Sequence, residues 1–275
     1  MAATRLLAPT AEYPWLLYGA PWLPYPRKVL LYLREKAINL NNQVVVVHGA
    51  NAHNFPSRPQ GSIPMLAIPS TPPPSVKYTY IRQSNSIIYF LEQHCNNSLL
   101  GFTAPHGPMN GANKSILEQA RMNELQTLAD ELMVAWNPVR LFGTDAGPVS
   151  IPAAAKESLR WITRTLATIE RWWQEEDRPM DVFQRGVHGH VTTAEISLYC
   201  FLEFARDGYG VDLTKGSGED RADVYGRIVS ESFPKLREFF KTFSKRESTT
   251  RSVETGDIVS EQHRRNMSTW AAGVL

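Results

Sequence analysis

The residues that decide the fold are 61–66, which read Gly-Ser-Ile-Pro-Met-Leu, taken together with residues 82–87, Arg-Gln-Ser-Asn-Ser-Ile. A β-strand pattern begins at Met65, and Pro64 stands at its entrance. Because proline has no N–H, it belongs at the start or the edge of a strand rather than in a central ladder. The residue before a proline is held extended, so Ile63 can turn its backbone N–H and C=O outward and pair with an extended peptide as an added strand would.

The second stretch predicts the start of a helix. Residues 77–81 form a β-like run, and the apolar helical pattern after Ser84 includes Ile87 and Leu91. A serine at a helix start lies beside backbone N–H groups that lack intrahelical partners, and the helix dipole adds positive potential that suits a carboxylate. Taken alone, each stretch favours a plainer interpretation, in which Pro64 ends a loop and Ser84 caps a helix. Together they predict a site that pairs with a peptide backbone and holds an anion beside it.

Composition is that of an ordinary soluble globular protein. Of 275 residues, 43% are apolar and 20% are charged, which allows one large domain or two smaller ones. The formal net charge of +2 is too small to predict binding to nucleic acid or to an anionic membrane. Both cysteines, Cys95 and Cys200, lie in apolar helical patterns, so we expect no disulfide and a reducing, cytoplasmic location. Residues 1–13 are expected to be a loose leader without a secretory signal, and no apolar run is long enough to span a bilayer.

The N-terminal part of the chain predicts a β-α-β unit followed by a β-β-α unit. The first two strands are apolar and flank a helix, which favours parallel pairing. The last two are joined by a proline-rich turn at 69–75 as an antiparallel hairpin. The predicted strands are 15–18, 43–48, 65–68 and 77–81, and the predicted helices are 27–36 and 84–94.

From residue 112 the pattern is helical throughout. The predicted helices are 112–136, one that begins at Pro152, one that begins at a capping box formed by Thr192 and Glu195, and one or two over 221–244 that break near Pro234. The polar residues 246–266 predict a flexible tail, with Trp270 as a residue that can dock back. The predicted domains are therefore 14–95 and 110–245, followed by a C-terminal tail at 246–275.

Three stretches resemble, in the same order, motifs of the cytosolic glutathione S-transferases. Residues 58–66 resemble the family's Asn-Pro-x-Gly-x-Val-Pro-x-Leu segment, in which the proline is cis. Residues 83–92 resemble its Glu/Gln-Ser-x-Ala-Ile-x-x-Tyr-Leu segment, and residues 189–195 resemble the capping box of its helical domain. The resemblance covers about residues 15–244. It implies an α+β fold, with an N-terminal thioredoxin-like β-α-β-β-α domain that contains a cis-proline and a C-terminal all-α helical bundle.

By that resemblance, the bound peptide is glutathione. Ile63, before Pro64, would pair with the cysteinyl backbone. Ser84 and its N–H would hold the γ-glutamyl carboxylate, and Gln83 would contact the γ-glutamyl end.

The glycyl carboxylate of glutathione needs a donor of its own. The family often supplies it from the loop before Arg58, where His53 is a candidate, and Ser62 is another. The alternative is that His53 is simply a solvated loop residue. No metal site is assigned.

The group that activates the thiol is not evident from the motif. A free thiol has a pKa near ~8.5, so the site must lower it. Family members use a tyrosine or serine hydroxyl or a cysteine, but the matching position here is Leu23, which can neither donate to a thiolate nor form a disulfide. Tyr18 and Tyr25 are therefore the candidate catalytic residues, with packing and pocket lining as their plainer roles. The helix N-terminus at Arg27 is a third candidate, through its N–H groups and dipole.

A hydrophobic substrate pocket is implied between the loop before the first helix and the helix that begins the second domain. Its candidate lining residues are Pro21, Trp22, Leu23, Met122, Leu125 and Gln126.

The resemblance implies a glutathione-dependent enzyme that acts on a hydrophobic electrophile. The reaction is either conjugation or reversible thiolate addition that isomerises a conjugated alkene, since the pair Gln83 and Ser84 resembles zeta-type members such as maleylacetoacetate isomerase. In style the chain resembles fungal members of natural-product pathways. The alternative is a non-catalytic glutathione-binding or regulatory member of the fold. The family usually forms homodimers, which we expect here without nucleic-acid or membrane partners.

Overall fold

The computed structural model describes residues 6–275 and divides the chain into two compact units. The first unit contains the chain through Ser115, together with Val191–Thr193 and Glu247–Ile258. The second contains Ile116–His190, Ala194–Arg246 and Val259–Leu275. This division differs from the predicted domains because two late segments of the chain belong to the first unit.

Four strands form the sheet of the first unit: β1 (Trp15–Tyr18), β2 (Val44–Val47), β3 (Met65–Pro69) and β4 (Tyr78–Arg82). Their order across the sheet is β2-β1-β3-β4. β1 pairs parallel with β2 and β3 pairs antiparallel with β4, which confirms the two predicted pairings. β1 also pairs antiparallel with β3. Tyr18 and Met65 are register partners, so the end of β1 lies beside the entrance of β3.

Two helices complete the predicted β-α-β and β-β-α order. α1 (Pro24–Glu35) and α2 (Ser84–Asn96) follow β1 and β4, and a single 3-10 turn at Ala52–Asn54 lies between β2 and β3. The apolar face predicted for α1 is fully buried at Val29, Leu30 and Leu33. α1 begins earlier than predicted, because prolines fit the first turn of a helix, where their missing N–H has no partner to lose.

The leader is not entirely loose. Its residues 1–5 lie outside the described residues. Leu7, however, donates its N–H to the carbonyl oxygen of Pro69 at 3.0 Å and accepts a hydrogen bond from the indole N–H of Trp15 at 3.0 Å. This part of the leader is therefore tied to the edge of the first unit.

The second unit is mainly helical. Its helices are α3 (Ile116–Gly143), α4 (Pro152–Glu175), α5 (Thr193–Tyr209), α6 (Pro234–Phe243) and α7 (Glu261–Ser268). α3 begins later than predicted and runs through Pro138, because buried Trp136 and Val139 continue its apolar face across the proline. No helix among residues 6–275 is both long and apolar enough to cross a lipid bilayer.

The prediction of helix over 221–233 is wrong. These residues form most of a short hairpin of β5 (Asp220–Ala222) and β6 (Ile228–Ser230). The turn is built around Asp223, whose Oδ1 accepts the N–H groups of Tyr225 and Arg227, each at 2.9 Å. An aspartate that satisfies the N–H groups two and four residues on stabilises a turn instead of a helix.

The prediction of a flexible tail is also wrong for Glu247–Ile258, which we call the C-terminal strap. It packs on α1, where Arg27 donates to the carboxylate of Asp257 at 2.7 Å and to the carbonyl of Thr249 at 2.6 Å. Asp257 has no exposed surface. The polar residues of this segment, which predicted exposure to solvent, instead form hydrogen bonds with α1. The docking of Trp270 is confirmed by its indole N–H, which donates to the carbonyl of Tyr209 at 3.0 Å.

Candidate functional site

The site is built around the entrance of β3. The peptide bond between Ile63 and Pro64 is cis, Pro64 is buried and Ile63 is half-buried. Within residues 6–275, no hydrogen bond uses the backbone N–H or C=O of Ile63. A residue in this position presents a donor and an acceptor to a peptide that approaches along the strand.

Ser84 is the first residue of α2 and is 5% exposed. The first backbone bond of the helix runs from the N–H of Ile87 to the carbonyl of Gln83 at 3.0 Å. The N–H groups of the three residues before Ile87 therefore lie ahead of the intrahelical ladder, at the positive end of the dipole. Lys28, fully buried in α1, donates its ammonium to Oδ1 of Asn85 and adds a positive charge next to this end of α2.

Gln83 is held in a strained backbone conformation, with φ of 70° and ψ of 127°. A non-glycine residue in such a region costs of order ~1–3 kcal/mol, and strain of this kind is typical of ligand-binding sites. Here it turns the chain from β4 directly into α2 and leaves the Gln83 side chain exposed beside Ser84.

A cavity of 490 Å³ lies at the ends of β1 and β2, next to the entrance of β3. That volume is within the usual range of small-molecule sites, about 300–1,000 Å³. The polar residues Tyr18, His48, Ser57 and Arg58 are part of its wall. Ile63, just before β3, is part of the wall as well. The predicted glycyl-carboxylate donors His53 and Ser62 are exposed and are not part of this wall.

Two guanidinium groups flank Gly61, at the rim of the cavity. Arg58 is exposed and donates to the carbonyl of Gly61 at 2.8 Å. On the other side, a Cβ added at Gly61 would lie 3.2 Å from Nη1 of Arg82, so the absence of a side chain allows that close approach. Sequence reasoning missed Arg58 as a site residue, although it replaces the asparagine of the motif it was compared with. It also missed His48. Its position as a polar residue directly after β2, which is parallel to β1, could have identified it.

Tyr18 lines the cavity, but its hydroxyl already has a partner. The phenol is 5% exposed and donates to the carbonyl oxygen of Pro56 at 2.6 Å. Burial raises the pKa of Tyr18 to about 12, with a further contribution from Tyr80 and Tyr78. The group is therefore protonated at neutral pH, and its proton fixes the loop that carries Pro56.

The start of α1 offers fewer donors than expected. Pro24 and Pro26 have no N–H, and the N–H of Arg27 is bonded to the carbonyl of Leu23 at 2.9 Å. Tyr25, which is half-buried, is thus the single residue among the first three of α1 that carries an N–H. The N–H of Arg27 is thus used within the helix, and service of a thiolate by the other N–H groups and the dipole at this helix N-terminus remains a prediction.

The predicted substrate-pocket residues lie in both units. Pro21 is buried, and Trp22 and Leu23 are half-buried in the loop between β1 and α1. Met122, Leu125 and Gln126 lie on α3 in the second unit. The Gln126 amide donates to Ser197 Oγ at 2.8 Å, and its Oε1 is buried with no hydrogen-bond partner in the described part of the chain. A shared pocket of these residues remains a prediction.

Solved glutathione transferases share this fold. A glutathione transferase family member from Pseudomonas fluorescens Pf-5 with bound glutathione is 21% identical, with a TM-score of 0.57 over 86% of this chain and 96% of that one. A glutathione S-transferase from Methylobacillus flagellatus KT with glutathione bound is 19% identical, with a TM-score of 0.55 over 86% and 96%. Gtt2 from Saccharomyces cerevisiae is 18% identical, with a TM-score of 0.52 over 85% and 98%.

Neither a protein-family model nor a curated protein sequence matches the chain. The structural likeness gives no support for an assignment to a fungal natural-product pathway, such as that of pseurotin. At identities of this size the comparison shows the fold alone, and it confirms the predicted α+β architecture of a thioredoxin-like domain followed by helices. That fold is the one shared by the glutathione transferases.

Proposed function

We propose that the chain binds glutathione at the entrance of β3 and uses its thiolate on a hydrophobic electrophile. The observation that carries this proposal is the backbone of Ile63, which has no hydrogen-bond partner within residues 6–275 and lies beside the cis peptide at Pro64 and the 490 Å³ cavity. Two solved proteins of the same fold contain bound glutathione, which supports the choice of peptide.

Each end of glutathione has a counterpart in the first unit. Ile63 pairs with the cysteinyl backbone, and the N-terminus of α2 at Ser84 holds the γ-glutamyl carboxylate, with Gln83 beside it. For the glycyl carboxylate we favour Arg58 over His53 and Ser62, because Arg58 lines the cavity and the other two do not. A guanidinium can bind a carboxylate through two parallel hydrogen bonds.

The reaction proposed is conjugation, or reversible addition of the thiolate to a conjugated alkene. In conjugation the sulfur forms a bond to an electrophilic carbon, the leaving group on that carbon departs with its bonding electron pair, and the adduct is released. In isomerisation the same bond forms, rotation occurs about the resulting single bond, and glutathione is expelled with return of the electron pair to the alkene. Both need a donor near the sulfur, and Tyr25 is our candidate because Tyr18 donates to Pro56. The substrate would lie against Trp22 and Leu23.

The socket at Ser84 provides the direct test. Ser84→Ala is expected to weaken glutathione binding, measured by calorimetry, by about tenfold, since a hydrogen bond to a charged group contributes about 1.5–3 kcal/mol. Ser86→Ala is the matched control, because Ser86 is exposed in the same turn of α2. Equal affinities of the two variants and the wild type would contradict the assignment of the γ-glutamyl carboxylate to this helix end. A wild-type protein that does not bind glutathione would overturn the proposed function.

A second candidate function is glutathione binding without catalysis. It is favoured by Leu23, which has no hydroxyl at the position where the family motif places one. It is also favoured by Pro24 and Pro26, which remove two N–H donors from the start of α1. Turnover of an aryl halide by the wild type, lowered in Tyr25→Phe, would support the enzyme. Tight binding of glutathione with no turnover of any electrophile would support the second candidate.

We also propose that the protein is a homodimer in the cytoplasm. The dimer follows from the family resemblance, and its test is the mass measured by light scattering. The proposed location rests on Cys95 and Cys200, which are buried and form no disulfide within residues 6–275, and which would remain reduced there.

A further inference from the structure

His48 forms part of the cavity wall, and the C-terminal strap holds its ring in place. The residue follows β2 directly and is 8% exposed. Its Nε2 lies 2.8 Å from the carbonyl oxygen of Glu254. A carbonyl oxygen can only accept, so Nε2 carries the proton and donates it to this bond. The contact joins positions that are 206 residues apart in sequence.

Gly256 lies close to Nδ1 and Cγ of the same ring. Its φ is +66°, and a Cβ built on it would lie 2.4 Å from Nδ1 and 2.5 Å from Cγ of His48. Real Cβ atoms do not approach other atoms so closely, so the ring occupies the space that a side chain at position 256 would need. The imidazole is therefore enclosed between a carbonyl and a glycine of the strap.

The strap is anchored independently of His48. The carboxylate of Asp257, fully buried, accepts from Arg27 at 2.7 Å and from the N–H of Ser252 at 2.6 Å. Arg34 lies 3.2 Å from the same carboxylate and donates to the carbonyl of Thr250 at 2.6 Å. The bond between Arg27 and Asp257 is charge-assisted and closed off from water, and bonds of that kind fix geometry strongly.

We infer that the C-terminal strap is a positioning element of the glutathione site, which sets the affinity for glutathione through the ring of His48. This inference rests on the proposed function. The strap itself does not line the cavity, whereas His48 does, so Gly256 and Glu254 act on the site through His48. Affinity thus depends on a segment far in sequence from the motif at Pro64 and from the socket at Ser84.

The test is Gly256→Ala, with Gly107→Ala as the matched control. Gly107 lies in the same unit with a similar φ of +78°, but nothing lies within 4 Å of a Cβ built on it. Both variants therefore carry the strain of a side chain at positive φ, and Gly256→Ala alone displaces His48. We expect calorimetry to show that Gly256→Ala weakens glutathione binding about tenfold, a change of 1.4 kcal/mol, while Gly107→Ala stays close to wild type.

A second pair of variants separates positioning from folding. His48→Gln can keep an N–H donor toward Glu254 and is expected to retain most of the affinity, whereas His48→Ala loses it. Adding His48→Ala to Gly256→Ala removes the two closest contacts, those with Nδ1 and Cγ of the ring, so the melting temperature should rise above that of Gly256→Ala while the affinity stays low. If turnover is measured, KM for glutathione rises in Gly256→Ala and kcat changes little.

The outcomes are distinct. If wild type binds glutathione and Gly256→Ala binds it as tightly as Gly107→Ala, the inference is overturned and the proposed function stands. The same holds if His48→Ala keeps the wild-type affinity, which can be measured even where Gly256→Ala does not fold. If wild type itself does not bind, the proposed function fails, and the positioning role fails with it.

Discussion

The buried hydroxyl of Tyr18 has a structural role at the candidate site, because it donates a hydrogen bond to a neighbouring loop. Its phenol holds the carbonyl of Pro56 at 2.6 Å, and so fixes the loop that forms one side of the cavity. Because burial favours the neutral phenol, its pKa lies above its ordinary value of 10.0, at about 12. A tyrosine in this state does not ionise near neutral pH and would not supply a tyrosinate to the proposed reaction.

A pH dependence of stability follows from this pKa. The folded-state pKa is raised, so the stabilisation that depends on the Tyr18 proton is fully present below pH 10.0 and is lost as the pH rises through about 12. Urea unfolding at pH 9 and pH 11 is expected to show a smaller loss of unfolding free energy in Tyr18→Phe than in wild type. Tyr89→Phe is the control, because Tyr89 is 66% exposed. An equal loss in Tyr18→Phe and wild type would contradict the assignment.

The individual residues of the site differ in how far sequence could reveal them. Ile63, Pro64, Gln83 and Ser84 act through the backbone next to them, and short motifs encode such local geometry. His48 depends on a contact with Glu254 that is 206 residues away, and no local pattern carries that information. Whether any of them binds glutathione is a matter for the variants proposed above.

Among the elements, the strands of the first unit were the most predictable. β1 is a continuous apolar run between a proline and a glycine, and it was predicted with its observed bounds. The hairpin of β5 and β6 was not predicted, because each strand has three residues, too few for a period-two pattern. Its geometry comes from Asp223 and from its pairing with Arg171 at 2.9 Å, which is a tertiary interaction.

The hairpin should therefore depend on that one carboxylate. Asp223→Ala leaves Arg171, which is 13% exposed, without its buried partner, and leaves two turn N–H groups without an acceptor. Breaking a buried ion pair from one side typically costs about 3–5 kcal/mol, so we expect a loss of about 3 kcal/mol in urea unfolding. Asp220→Ala, at an exposed site in β5, should change stability by less than about 0.5 kcal/mol. Similar losses in both variants would show that the carboxylate of Asp223 does not hold the turn.

On the scale of the whole molecule, the first unit is completed by the C-terminal part of the chain. Without the strap, the guanidinium of Arg27, which is 2% exposed, would lose its carboxylate partner in a buried position. A polar and charged sequence predicted solvation here, because sequence alone does not show that α1 carries the buried Arg27 and the half-buried Arg34, which bind the strap. The pattern of charges in a sequence identifies an ion pair only when both residues are known to be close in space.

Two truncated chains separate the strap from the residues beyond it. A chain that ends at Ile258 keeps Asp257 and loses α7 and Trp270, whereas a chain that ends at Arg246 loses the strap as well. Hydrogen exchange followed by mass spectrometry should show protected α1 amides in the first chain and a loss of that protection in the second. Loss of one buried partner corresponds to about 3 kcal/mol or more, a change of at least a hundredfold in protection. Equal protection of α1 in both chains would show that the strap is dispensable for the first unit.

The ion pair of Arg27 with Asp257 also has a consequence for how the protein is made. Its partners are 230 positions apart, so a ribosome must pass residue 257 before the first unit can reach its final form. Domains near the N-terminus usually fold during synthesis, ahead of the rest of the chain. Here the strands and helices of the first unit can assemble early, but Arg27 and Arg34 of α1 lack the carboxylate of Asp257 until the part of the second unit that precedes the strap, up to Arg246, has been translated. Completion of the first unit therefore follows synthesis of the strap, and contacts of such long sequence separation are the slow ones to form.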